Sequence, residues 1–149
     1  QVLHTPGHTL GHVVYHFADQ QRAFVGDTLF AMGCGRLFEG TAEQMWHSLQ
    51  KLLAWPDDTT LYCAHEYTQA NARFALSVEP GNPALIERAA QVDALRERGE
   101  PTVPMHLHEE RATNPFLRPD SENLQATLAM PGADLVEVFA ETRRRKDNF

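Results

Sequence analysis

The sequence of 149 residues is 42% hydrophobic and 22% charged, the balance of an ordinary globular chain forming one domain, or one domain with an appendage. Its net charge of −7 argues against nucleic acid as the main partner, and no apolar run is long enough to span a bilayer or to form the core of a signal peptide. Two cysteines, Cys34 and Cys63, are too few for a disulfide scaffold and imply a reducing, cytoplasmic setting.

Taken in order, Val2 to His4 reads as a strand that ends at Thr5-Pro6-Gly7-His8-Thr9-Leu10-Gly11-His12, a tight turn carrying two histidines four residues apart. The chain opens at Gln1 with strand-like residues at once, which predicts a fragment whose beginning is missing. His12 to Phe17 is a second strand, followed by a polar turn at Asp19-Gln20-Gln21. Ala23-Phe24-Val25 is a third, apolar throughout and so expected at the centre of a sheet; it stops at Gly26-Asp27. Gly33-Cys34-Gly35-Arg36 reads as a flexible loop.

Thr41-Ala42-Glu43-Gln44 has the capping-box pattern, and Met45, Leu49, Leu52 and Leu53 recur at helical spacing until Pro56. Thr60 to Ala64 is a further strand, ending at His65-Glu66. From Thr68 onward the strand signal vanishes. Ala72, Ala75, Leu76 and Val78 predict a helix broken by Pro80-Gly81-Asn82-Pro83, and Asn82 with Pro83 opens a second that Gly99 ends. Pro101 and Pro104 predict an extended connector, and a short helix is expected between Asn123 and Met130. Asp134 to Glu137 is another capping box, after which Leu135, Val138, Phe139 and Thr142 define one helix face. The chain therefore divides near residue 66 into a sheet-bearing part and a helical part, an α/β or α+β organisation.

Three polar residues share one placement, the loop after a strand: His8, Asp27 and His65. Imidazole and carboxylate are the usual protein donors of catalytic zinc, iron or manganese. Singly, each has a plainer role open to it: His8 bonding a loop carbonyl, Asp27 capping a turn, His65 capping a helix. Together, on three strand ends, they make a metal site an even alternative. Cysteine chemistry is less favoured, since Cys63 and His65 lie too near in sequence to pair without strain.

The turn at Thr5 to His12, with Gly26-Asp27-Thr28-Leu29-Phe30, Gly33 to Arg36 and Ala64-His65-Glu66-Tyr67-Thr68, resembles the metallo-β-lactamase superfamily, and within it glyoxalase II, the hydroxyacylglutathione hydrolases. Val78 to Asn82, Asn114 to Arg118 and Arg143-Arg144-Arg145-Lys146-Asp147 resemble the helical C-terminal domain of the same enzymes, so the likeness covers essentially the whole sequence. It implies the second half of an αββα sandwich at residues 1–66, followed by a helical substrate-binding domain at 67–149.

The resemblance further implies a site with two divalent metal ions, zinc with iron or manganese as alternatives. The residue matching His8 binds one ion, the one matching His65 binds the other, and the one matching Asp27 bridges them. No catalytic residue is expected beyond these ligands, because hydroxide generated between the ions attacks the thioester carbonyl of S-D-lactoylglutathione. The thiolate of glutathione leaves readily, so a dedicated general acid is less necessary than in amide hydrolysis. Arg36, Tyr67, Asn71, Arg143 and Lys146 match positions that bind the glutathione moiety; Arg143 and Lys146, three apart, share one helix face. Neither nucleic acid nor membrane is an expected partner.

Two departures stand out. Phe38 occupies a position where some members carry a substrate-bonding tyrosine. The Thr-His-x-His-x-Asp-His signature that supplies most first ligands is absent, and His106-x-His108, lacking the following Asp-His, reads as surface. The expected partner is accordingly a missing N-terminal segment, and the piece as given is expected to be inactive alone. A different enzyme of the superfamily, such as a glutathione persulfide dioxygenase, and a non-catalytic fragment are the alternatives. A sheet without its second layer is expected to expose apolar faces.

Overall fold

The computed structural model describes residues 1–149. Five strands form one mixed sheet in the order β1 (Val2–His4), β2 (Val13–Phe17), β3 (Arg22–Gly26), β6 (Thr60–Cys63) and β7 (Met105–His106). Strands β1 to β3 form an antiparallel meander, with Val2 opposite Tyr15 and Tyr15 opposite Phe24. Strand β6 runs parallel to β3, Ala23 facing Leu61, and the crossover between them carries helix α1 (Ala42–Leu53). The predicted box at α1 forms: Thr41 Oγ1 accepts from Gln44 N, and Gln44 Oε1 accepts from Thr41 N.

The period of two along each strand sorts the side chains. Val14 and His16 of β2, Ala23 and Val25 of β3, and Leu61 of β6 face inward, where Met45, Trp46, Leu49 and Leu52 of α1 cover them. Tyr15, Phe17 and Phe24 face outward, about half exposed, with Phe24 stacked on Tyr62 at 5.0 Å. Strand β3 is thus central in the sheet, as its apolar run predicts, yet it is buried on only one face. An exposed aromatic stripe covers the other.

Strands do not stop at residue 66. Met105–His106 forms β7, an antiparallel edge beside β6 with Thr60 opposite His106, and α4 (Leu107–Thr113) follows at once. Two residues are too few for a hydrophobic period, so β7 carries no sequence signal of its own. The glycine-rich segment also differs from expectation. Gly33–Cys34 is strand β5, paired with β4 (Leu29–Phe30) in a small hairpin whose turn residue Met32 has φ +56°.

The helical part comprises α2 (Thr68–Val78), α3 (Pro83–Glu97), α4, α5 (Glu122–Thr127) and α6 (Leu135–Asp147). Asn82 caps α3 by accepting from Leu85 N, with Pro83 at its first turn, and Asp134 caps α6 by accepting from Val136 N and Glu137 N. Phe139 of α6 reaches Trp46 of α1 at 6.0 Å, so both parts share one core. Met32 packs into a second cluster with Ala72, Ala75, Leu85 and Val92, between α2 and α3.

Helical side chains also clamp the backbone of the hairpin. Asn114 Nδ2 donates to Phe30 O and Gly33 O at 3.1 and 3.0 Å, and Glu110 Oε1 accepts from Met32 N at 2.8 Å. Glu110 is fully buried, and its second oxygen faces Arg88 as an ion pair without hydrogen-bond alignment. These bonds satisfy hairpin groups that the small sheet leaves unpaired. They also fix the chain just beyond Asp27.

Candidate functional site

Each of the three candidate ligands leaves a strand end on the same side of the sheet. His8 follows β1, Asp27 follows β3, and His65 follows β6. His65 Nε2 lies 3.1 Å from Asp27 Oδ1, and His8 Nε2 lies 4.0 Å from Asp27 Oδ2. One carboxylate therefore faces two imidazoles, a different oxygen toward each. His8 Nδ1 lies 2.7 Å from Arg36 O, and only as the protonated nitrogen can it bond a carbonyl. That bond leaves Nε2 with its lone pair facing Asp27, the tautomer a metal ligand requires. His65 is held by stacking on Tyr67 at 4.8 Å and 17°.

These donors suit divalent cations in kind and in orientation, with Asp27 between the two imidazoles. They do not form a closed cage, since no group of three or more His, Cys, Asp or Glu side chains is gathered tightly enough to hold one ion. Each half of the site offers one imidazole and one carboxylate oxygen.

Supporting contacts explain why the loops hold these positions. His12 Nε2 accepts from Asp27 N at 3.1 Å, and its Nδ1 lies 2.9 Å from Thr28 Oγ1 and 3.2 Å from Thr5 Oγ1. The first bond fixes the proton on Nδ1, so the ring is neutral, and burial lowers its proton affinity against the opposing pull of Asp27. His12 thereby ties the turn that presents His8 to the turn that presents Asp27. Read from sequence, His12 has no role beyond its place in the turn; the available signal is the pair of hydroxyls, Thr5 and Thr28, flanking the two loops. A Cβ at Gly35 would lie 2.0 Å from Asp27 O and 3.0 Å from His8 Cβ, so the chain returning from the hairpin can pass over the site only as glycine.

Beside the three candidate ligands opens a cavity of about 490 Å³ lined also by Arg36, Tyr67, Asn71, Arg143 and Lys146, every substrate position that the resemblance implied. Their freedom differs. Tyr67 is half exposed and meets Phe30 edge-on at 5.3 Å. Asn71 is buried, and its amide donates to Ala31 O at 3.1 Å, another hairpin clamp. Arg143 is buried, lies 5.1 Å over the Phe116 ring, and donates to Cys34 O at 2.9 Å. Lys146 lies 5.7 Å over Phe74. Burial lowers its proton affinity, and the neighbouring Arg143 and Arg36 lower it further. Arg144 and Arg145 turn away and pair with Glu141.

Phe38 is exposed and tilts against His8 at 5.1 Å; Phe30, absent from the sequence-derived set, also lines the cavity. His106 on the edge strand β7 and His108 in the first turn of α4 are exposed, stacked at 5.6 Å. Cys63 is partly buried against the core, and Cys34 is buried in β5 at the cavity wall, which pushes its thiol up to about 11. Both cysteines are free, and no helix is long and apolar enough to cross a membrane.

Residues 66–149 match the family described as hydroxyacylglutathione hydrolase C-terminus, and residues 1–65 match the metallo-beta-lactamase superfamily. The whole chain is 62% identical to hydroxyacylglutathione hydrolases of Methylococcus capsulatus and of Maricaulis maris, and it spans 58% of the length of each. Among solved structures, ETHE1 from Myxococcus xanthus matches all of this chain and 54% of its own, at 26% identity and a TM-score of 0.53. The BLEG-1 B3 metallo-beta-lactamase matches 78% of this chain and 40% of its own, at 24% identity and a TM-score of 0.51, a likeness of fold alone.

Proposed function

The chain belongs to the hydroxyacylglutathione hydrolase family, on a metallo-β-lactamase fold, and from that premise we propose that the protein containing it hydrolyses S-D-lactoylglutathione and related 2-hydroxyacyl thioesters to the hydroxy acid and glutathione. The observation that carries the reading is the placement of Asp27. Its two oxygens face His8 and His65 at the mouth of a cavity walled by Arg36, Arg143 and Lys146.

His8 Nε2, Asp27 and His65 Nε2 would hold two divalent cations, with Asp27 between them; zinc is the first choice on donor type, iron and manganese the alternatives. Bound there, such cations supply Lewis acidity, which activates water at neutral pH and offsets negative charge on the thioester oxygen. The chain's own residues do the rest. The Arg36 carbonyl holds the His8 ring in its ligating tautomer, and His12 holds the Asp27 backbone. The basic wall attracts the carboxylates of the glutathionyl group, and the half-exposed ring of Tyr67 offers a surface beside His65. The leaving group is a thiolate, stable at neutral pH, so no side chain need protonate it.

Each half of the site carries two donors here, fewer than a metal ion needs. We therefore assign the remaining ligands to the portion of the protein that this chain does not span, and expect the 149 residues alone to be inactive. The exposed stripe of Tyr15, Phe17 and Phe24 is the surface we assign to that portion. Free cysteines support a cytoplasmic setting. A persulfide dioxygenase on the same fold is the lesser reading, because the relatives at 62% identity carry the hydrolase name. Supplying the full-length protein with S-D-lactoylglutathione and, separately, with glutathione persulfide tests the choice: thioester loss without oxygen uptake is expected. Oxygen uptake on persulfide, with the thioester untouched, would overturn it.

A further inference from the structure

Three cations, Arg36, Arg143 and Lys146, stand on one wall of the cavity, and a single carboxylate of this chain sits behind them. Asp147 Oδ1 accepts from Arg143 Nε at 2.9 Å, lies 2.8 Å from Arg143 Nη2, and lies 3.5 Å from Arg36 Nε. Asp147 does not itself line the cavity. It joins a cation on the last helix to a cation on the loop after β5, while Arg143 reaches that strand directly through Cys34 O.

Helix stability does not account for this carboxylate. Asp147 is the last residue of α6, where the negative end of the helix dipole disfavours an acid, and an Arg-to-Asp pair in that order along a helix is the weaker arrangement. Arg143 is, moreover, buried and tied on both edges, toward Cys34 and toward Asp147. Arg36 and Lys146 are left as the cations able to meet a ligand. Arg36 is 56% exposed, and Lys146 extends over the Phe74 ring.

We propose that Asp147 is a resident counter-anion which sets how tightly the Arg36–Arg143–Lys146 wall holds the carboxylate of a bound ligand. The inference rests on the glutathione reading above and adds its regulation. The negative charge holds Arg143 in place and subtracts from the attraction felt by an incoming carboxylate, which favours release of an anionic product. Asp147 is a positioning residue here and touches no reacting atom.

D147N separates charge from shape, since its amide oxygen can still accept from Arg143 while the negative charge is gone. In the full-length, metal-loaded protein, D147N is expected to lower KM for S-D-lactoylglutathione and Kd for glutathione by about three- to tenfold, from one charge a few ångströms behind the subsite. The change should fall on KM, should grow as salt is removed, and should disappear for glutathione with its carboxylates esterified. E141Q, the same charge change on the same helix but against Arg144 and Arg145, is the control expected to leave both constants unaltered. An unchanged or higher KM in a folded D147N overturns the inference, as does a gain that persists with the esterified ligand. Should D147N not fold, D147S carries the same expectation, and loss of the fold in both would make Asp147 structural and overturn it too. Wild type that binds no glutathione would instead remove the reading on which the inference rests.

Discussion

The ring of His12 accepts a hydrogen bond from the backbone N–H of Asp27 at 3.1 Å, while its Nδ1 reaches Thr28 Oγ1 at 2.9 Å. Two strand-end loops are joined by one neutral imidazole, which fixes where the Asp27 carboxylate stands. H12A leaves the Asp27 N–H without its partner, so urea denaturation should show a loss of about 1–3 kcal/mol. Unchanged stability would mean that the two loops hold each other without the ring.

The hairpin clamp should be costlier to break. Glu110 is fully buried, accepts from Met32 N and Asn114 Nδ2, and faces the nearly buried Arg88. E110A strands that guanidinium, which costs about 3–5 kcal/mol in buried pairs. A denaturant midpoint within error of wild type would show that the hairpin is held by its apolar contacts alone.

At the other extreme lies a surface cluster, where the partly buried Glu141 pairs with Arg144 and Arg145. Hydrogen bonds from Arg144 and then Arg145 pull the Glu141 carboxyl down to about 2, against an ordinary value of 4.5. A carboxyl lowered in the folded state adds stability above its unfolded value and loses it as pH falls through the folded one. Because both arginines stay open to solvent, E141Q should cost only about 0.5–1 kcal/mol at neutral pH. Melting curves of wild type and E141Q should converge between about pH 4.5 and pH 2.

Burial of Cys34 in β5 pushes its thiol up to about 11, so almost none is thiolate at neutral pH. A thiol-specific disulfide reagent should leave Cys34 unlabelled in the native protein and label it in denaturant. Labelling of native Cys34 at the rate of a free thiol would contradict the packing around Arg143.

Much of this was legible because local rules and the fold agree. Strand-forming runs bounded by turns placed β2 and β6, the Thr41 box and Asn82-Pro83 placed two helices, and polar residues at strand ends singled out His8, Asp27 and His65. Strand β7 escaped because Met105–His106 is a strand only through its pairing with Thr60 and Leu61, a contact more than forty residues away in sequence. The hairpin escaped because glycine reads as flexibility, whereas Gly33 and Gly35 are required by close approach of Asn71 and of Asp27. Asn71 and Arg143 illustrate the same limit at the site. A family pattern gives them a place beside the ligand, but only coordinates reveal their bonds to Ala31 O and Cys34 O.

Metal-dependent thioester hydrolysis at Asp27, between His8 and His65, is the activity proposed for the full-length protein. Its most direct test is turnover of S-D-lactoylglutathione by the full-length protein, measured before and after chelator treatment and again with Asp27→Ala. Activity should be lost with chelator, return on adding zinc, iron or manganese, and be absent from the variant at any metal concentration. Turnover that survives both metal removal and Asp27→Ala would contradict the account.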